Sequence, residues 1–207
     1  MYRFSIVAVA VFFMVAAASA VLWTTVVQAE ETTIEQTFAK AKKDYLGKNI
    51  ISAAKQIRKS VKYLENETVN ASDKGKQKLA AAAGELEKLA ADMEKGSVKS
   101  VKRMNEAFAR AYHALAANEH LKSTESWAKK ETAKAGSALD AAAKYLEKSF
   151  AWAGKKIEAK TGTVIRKSQD ISRKLTEKGD AVAEEIGRGL QDAGNEIERF
   201  GKRISPK

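Results

Sequence analysis

Residues 74–95 read KGKQKLAAAAGELEKLAADMEK. Leu79, Ala82, Leu86, Leu89 and Met93 recur at alternating spacings of 3 and 4, the period of one face of an α-helix. Lysine and glutamate fill the other positions, and Gly96 stands where a helix takes its C-terminal glycine. Nothing in the stretch alternates with period 2, so a strand is excluded.

The same pattern extends in both directions. Towards the N-terminus, Ile50, Ala53, Ile57, Val61 and Leu64 share one face, and Ile34, Phe38, Ala41 and Tyr45 share another. Thr32 with Glu35 makes an S/T-x-x-E start signal. Gly47-Lys48-Asn49 and Asn70-Ala71-Ser72-Asp73 are the turn signals between these helices. Towards the C-terminus, Ser97 opens a helix striped by Val101, Met104, Phe108, Tyr112 and Leu115. The stripe weakens over Asn118–Ser126, and a further helix is expected from Trp127 through Leu139, Ala143, Leu146 and Phe150 to Ile157. The one proline is Pro206, so glycine is the only strong helix breaker inside the chain. The fold class is all-α: an up-and-down bundle of four or five helices over 30–157, then a long amphipathic C-terminal helix and basic tail over 158–207.

Lys62-Tyr63-Leu64-Glu65 recurs as Lys144-Tyr145-Leu146-Glu147. At the same offset Tyr45 aligns with Trp127, Lys48 with Lys130, Ala53 with Ala135 and Ile57 with Leu139. A duplicated helical hairpin follows. The 34-residue period and the proline of tetratricopeptide units are missing.

In the C-terminal third, Val164, Leu175, Ile186 and Ile197 are each 11 apart, and so are Ile171, Val182, Ala193 and Ile204. Ser168, Gly179, Leu190 and Gly201 lie between these rows. An 11-residue period keeps an apolar stripe nearly straight along a helix. Over Val164–Ile204 the spacing resembles the amphipathic repeats of exchangeable apolipoproteins and late-embryogenesis-abundant proteins. That resemblance implies a helix lying on a lipid surface, with Val164, Ile171, Leu175, Val182, Ile186, Leu190, Ile197 and Ile204 as a membrane or partner face.

Phe4–Val27 carries no charge and is long enough to cross ~30 Å of hydrocarbon. Behind Arg3 and ahead of Glu30 it reads as an export signal over 1–29, with small-x-small cleavage sites at Ala18-Ser19-Ala20 and Val27-Gln28-Ala29. Its length also suits an uncleaved membrane anchor. Either way the remainder is expected on the periplasmic or extracellular side.

The 37 basic and 26 acidic residues give a net charge of +11. That excess suits an anionic envelope surface or a protein partner. Nucleic acid is disfavoured by the export signal and by the lack of any long basic run interleaved with aromatics. Cysteine is absent, which removes disulfides, thiolate metal sites and a cysteine nucleophile. Asn66-Glu67-Thr68 and Asn70-Ala71-Ser72 match the glycosylation sequon.

Catalytic patterns are not met. Glu119-His120 lacks the second histidine of a zinc-protease helix, and Gly187-x-Gly189 with Gly194 lacks dinucleotide-loop spacing and a preceding strand. Carboxylates such as Glu85 and Glu87 stand beside lysines, as on solvated helix faces. The chain is therefore expected to be non-enzymatic, with no cofactor and no metal. His113, His120 and Trp127, each seven apart, form one line on a helix. They are either a packing edge against a neighbouring helix or a ligand groove, including a haem-type ligand. The reading is an exported helical protein of the cell envelope acting in protein contact, scaffolding or client holding, with a membrane-surface module and a ligand binder as alternatives.

Overall fold

The computed structural model describes residues 33–177 and 183–205. Among them are seven α-helices and no strand: α1 (Ile34–Leu46), α2 (Ile50–Thr68), α3 (Asp73–Glu94), α4 (Val101–Ala128), α5 (Thr132–Trp152), α6 (Ala159–Thr176) and α7 (Ala183–Ile204). Helix α1 starts one residue later than the S/T-x-x-E pattern suggests. Thr33 caps it, its hydroxyl accepting from the Gln36 N–H while the Gln36 side chain accepts from the Thr33 N–H.

Short connections make sequential helices antiparallel neighbours. The side-chain bonds agree: Thr37 meets Ser60, Arg110 meets Glu85, Ser149 donates to the Ala109 carbonyl, and Ser172 donates to the Gly136 carbonyl. Helix α4 packs on α1, α3, α5 and α7, and α5 runs beside it from Phe108, which meets Trp152, to Ser123, which donates to the Ala135 carbonyl. Helices α1–α4 close one four-helix ring and α4–α7 close a second, so the bundle is up-and-down throughout and α4 belongs to both rings.

The two rings repeat one another. Adding 82 to the buried α4 residues Met104, Ala107, Phe108, Ala111, Ala114, Leu115 and Asn118 gives all the buried residues of α7. The buried residues of α6 map likewise onto those of α3, and all seven of α2 onto α5. The turn after α1 and the turn after α4 share their hydrogen bonds and a left-handed residue, Lys48 at φ 62° and Lys130 at φ 61°. Tyr63 and Tyr145, equivalent residues, share a hydrogen bond of 3.2 Å between their hydroxyls. The echo seen in one hairpin therefore covers four helices, and the first helix of the second copy is the C-terminal half of α4.

Two expectations are corrected. Helix α4 continues through Asn118–Ser126 to Ala128, and the break falls at 129–131. The stripe weakens there because the buried positions are polar, Asn118 and Ser123, the latter donating to the Ala135 carbonyl. Residues 158–204 form two antiparallel helices where one long helix was expected. Thr161 bonds Glu196, Lys167 pairs with Asp192 and Lys174 with Glu185 across the pair. The 11-residue period runs on through the connection and so hides it. No helix among the described residues is long and apolar enough to cross a membrane; Phe4–Val27 lies outside them.

In the first ring Phe108 is fully buried, stacked 4.0 Å from Phe38 and edge-on to Trp152 at 5.1 Å. Removing such a ring leaves a cavity that rigid helices cannot close. Phe108→Ala is expected to destabilise the protein by about 3–5 kcal/mol, read from the midpoint of urea unfolding followed by circular dichroism.

Candidate functional site

The line His113, His120, Trp127 on α4 faces α7, where glycine also recurs every seven residues at Gly187, Gly194 and Gly201. Because the helices are antiparallel, His113 lies on Gly201 and His120 on Gly194. A Cβ on Gly201 would stand 2.6 Å from the His113 ring, and one on Gly194 would stand 2.7 Å from the His120 ring. Only glycine lets the imidazoles reach the α7 backbone.

There they make the same bond twice. His113 Nε2 donates to the Ile197 carbonyl at 2.7 Å, and His120 Nε2 donates to the Leu190 carbonyl at 2.8 Å. Each acceptor is four residues before the glycine under the ring, so it is also the carbonyl that an α-helix pairs with that glycine's N–H. A carbonyl cannot donate, which fixes the proton on Nε2 in both rings. Both nitrogens that point into the seam are therefore engaged. Trp127, the third member, packs on the cluster of Leu139, Ile171, Leu175, Ile186 and Leu190. The structure brings His113 and His120 to the α4–α7 contact and sets Trp127 on a cluster shared by α5, α6 and α7. Among the described residues no group of three His, Asp or Glu side chains is arranged to hold a metal.

Burial holds the pKa of both imidazoles below its ordinary value, and at His113 the Lys78 ammonium adds to this; the backbone bonds act in the opposite direction. Around His113 the facing charges are Lys78 and Glu85 on α3, Arg110 on α4, and Glu198 and Lys202 on α7. Arg110 closes this end by bonding Glu85 and donating to the Ile204 carbonyl at 3.1 Å.

The residues expected to form a membrane or partner face are placed differently. Ile171, Leu175, Ile186, Leu190 and Ile197 are buried in the second ring. Val164 and Ile204 are half-buried against the same cores, and Val182 lies outside the described residues. Their stripe is the inner wall of α6 and α7, because a narrow apolar stripe is as well suited to a helix partner as to lipid. The α4 side of the seam is the packing edge that the sequence offered beside a ligand groove, and its α7 side was missed. Its signal was the seven-residue glycine spacing on α7 opposite the seven-residue histidine spacing on α4.

The glycines separate packing from helix propensity. Gly194→Ala and Gly201→Ala are each expected to cost about 1–3 kcal/mol by overpacking. Gly187→Ala, where a Cβ meets nothing within 4 Å, should gain up to about 1 kcal/mol. Urea unfolding of the three variants checks this. The histidines set a pH dependence. With folded values below the unfolded ~6.5, the unfolded chain takes up protons first, so stability is full above that pH and falls as pH drops below it. Unfolding midpoints at a series of pH values should show the fall, and His113→Gln with His120→Gln should flatten it. Comparison of the chain with protein-family models, with curated proteins and with solved structures found no match.

Proposed function

We propose that this protein is an exported, non-enzymatic helical protein of the cell envelope that acts through its outer surface, as a scaffold or as a holder of client chains. The observation that carries the reading is the division between inside and outside. The helices bury their apolar stripes on one another, while Lys40, Lys43, Lys55, Lys59 and Lys62 on α1 and α2, and Lys74, Lys76 and Lys78 on α3, are exposed. Among the described residues none of these eight takes part in an ion pair, whereas Arg58 is tied to Glu87 and Glu94. A rigid support with uncompensated positive charge attracts anionic partners and steers their approach. Export is supported by Phe4–Val27 and its flanks. Basic exported chaperones built of long helices are the nearest functional analogy.

The test has two parts. N-terminal sequencing of protein fractionated from its native host should find a start at Val21 or Glu30 in the envelope fraction, or Met1 retained in the membrane. Recovery from the cytoplasm overturns export. The purified chain should slow aggregation of an acidic unfolded client at about 0.1 M salt and lose the effect near 1 M, where screening shortens from ~10 Å to ~3 Å. Protection unaffected by salt would remove the electrostatic basis of the reading.

A further inference from the structure

The turn between α1 and α2 carries two of the large apolar side chains that the fold leaves in solvent. Leu46 is 61% exposed and Ile51 70%. They flank Gly47-Lys48-Asn49, where the left-handed Lys48 forms the apex. Lys43 is three residues before Leu46 and Lys55 four after Ile51, so each apolar tip has a lysine on its own helix face. The Tyr45 hydroxyl donates to the Val98 carbonyl at 3.0 Å, which holds the 95–100 connection, with exposed Lys95 and Lys99, beside this turn.

The acids at this end are already engaged. Asp44 accepts from Ser52 at 2.6 Å, Asp92 is paired with Arg103, and Glu94 accepts from Arg58 at 2.9 Å. Among the described residues Lys43, Lys48, Lys55, Lys95 and Lys99 take part in no ion pair.

The second copy of the repeat is an internal control. Its equivalent turn has the same hydrogen bonds and the same left-handed lysine, Lys130, yet Ala128 and Ala133 replace Leu46 and Ile51. Glu125 stands for Lys43 and Ser137 for Lys55. The turn is thus built equally well without apolar tips or their lysines. Their presence in one copy alone is not a demand of folding.

We infer that the end of the molecule formed by Leu46, Lys48 and Ile51 docks on an anionic lipid bilayer, with Leu46 and Ile51 entering the head-group boundary and the surrounding lysines on the lipid phosphates and carboxylates. A protein partner is the poorer fit. A stable protein interface takes about 800 Å² from each side, whereas this is a convex tip of two side chains, which a bilayer accepts without a matching cavity. Each lysine near an anionic surface strengthens binding about fivefold. The inference rests on the envelope reading only for which membrane is met.

The absence of cysteine allows a single label in the full chain. Ile51→Cys carrying an environment-sensitive nitrobenzoxadiazole dye is mixed with phosphatidylserine–phosphatidylcholine vesicles containing spin-labelled lipid, and Ala133→Cys, the equivalent position of the second copy, is the control. The dye at position 51 should shift to the blue and be quenched, and the dye at position 133 should not. Vesicles of phosphatidylcholine alone should leave both unchanged. Replacing Lys43, Lys48, Lys95 and Lys99 by Gln should weaken the quenching at position 51 by more than about tenfold, with the circular dichroism spectrum unaltered. These local readouts are independent of any vesicle binding by Phe4–Val27. Equal quenching at both positions, or none at position 51, overturns the inference. A concentration-dependent shift at position 51 without vesicles overturns it in favour of a second copy of the chain. Neither result touches export, which N-terminal sequencing reads separately.

Discussion

From Ala107 to Ser123 no residue of α4 is exposed, and that burial is the constraint on which the rest of the fold depends. A helix apolar on one stripe needs one neighbour, but a helix enclosed on every side needs a ring of them. Alanine at 107, 109, 111, 114, 116 and 117 lets neighbours approach closely, while Phe108, Tyr112 and Leu115 supply the bulk. Helices α1 and α3 cover it on one side, at Phe108, Arg110 and Asn118, and α7 on another, at His113 and His120, while α5 runs beside it from Phe108 to Ser123. Two rings that share α4 enclose it.

This explains what could be read in the sequence and what could not. Helices α1 to α3 have one neighbour-facing stripe each, and their apolar residues recur with visible period. The duplication showed in one hairpin, from Tyr45 and Trp127 to Glu65 and Glu147, where Lys48, Ala53 and Lys62–Glu65 keep their identity. In the other two helices of each copy many paired positions share burial but not identity, as with Leu79 and Thr161 or Met104 and Ile186. Helix α4 was blurred over 118–126 because its buried positions there are polar, Asn118 and Ser123, and break the apolar period. The connection after Thr176 was hidden for a different reason. The period continues across it, and Gly179 reads equally as a small residue in a stripe and as a turn.

The seam shows how far the copies have diverged within one geometry. In the first ring Phe38 meets Tyr112 edge-on at 5.4 Å and stacks on Phe108. The equivalents in the second ring are His120, Gly194 and Leu190. Removing the tyrosine ring at position 194 leaves room for an imidazole to lie on the α7 backbone, where it bonds the Leu190 carbonyl instead of stacking on a side chain. His113, one heptad earlier, does the same with Gly201. Apolar contact in one copy has become polar contact in the other. A buried polar contact is stable only while both partners keep their hydrogen bonds.

That difference divides the work of the molecule. The first ring is held by stacked aromatics, whose contact does not change with pH, and it carries the exposed lysines together with Leu46 and Ile51. A tip that meets a surface works best on a support that does not loosen as conditions change. On the α7 side the second ring meets α4 through two buried histidines, each donating to a backbone carbonyl that only a glycine lets it reach. Behind that contact Ile186, Leu190 and Ile197 are buried. Part of the stripe that resembles a lipid-binding repeat is thus spent inside the fold, where it closes the second ring, and the apolar tips left in solvent beside lysines unpaired among the described residues belong to the first ring.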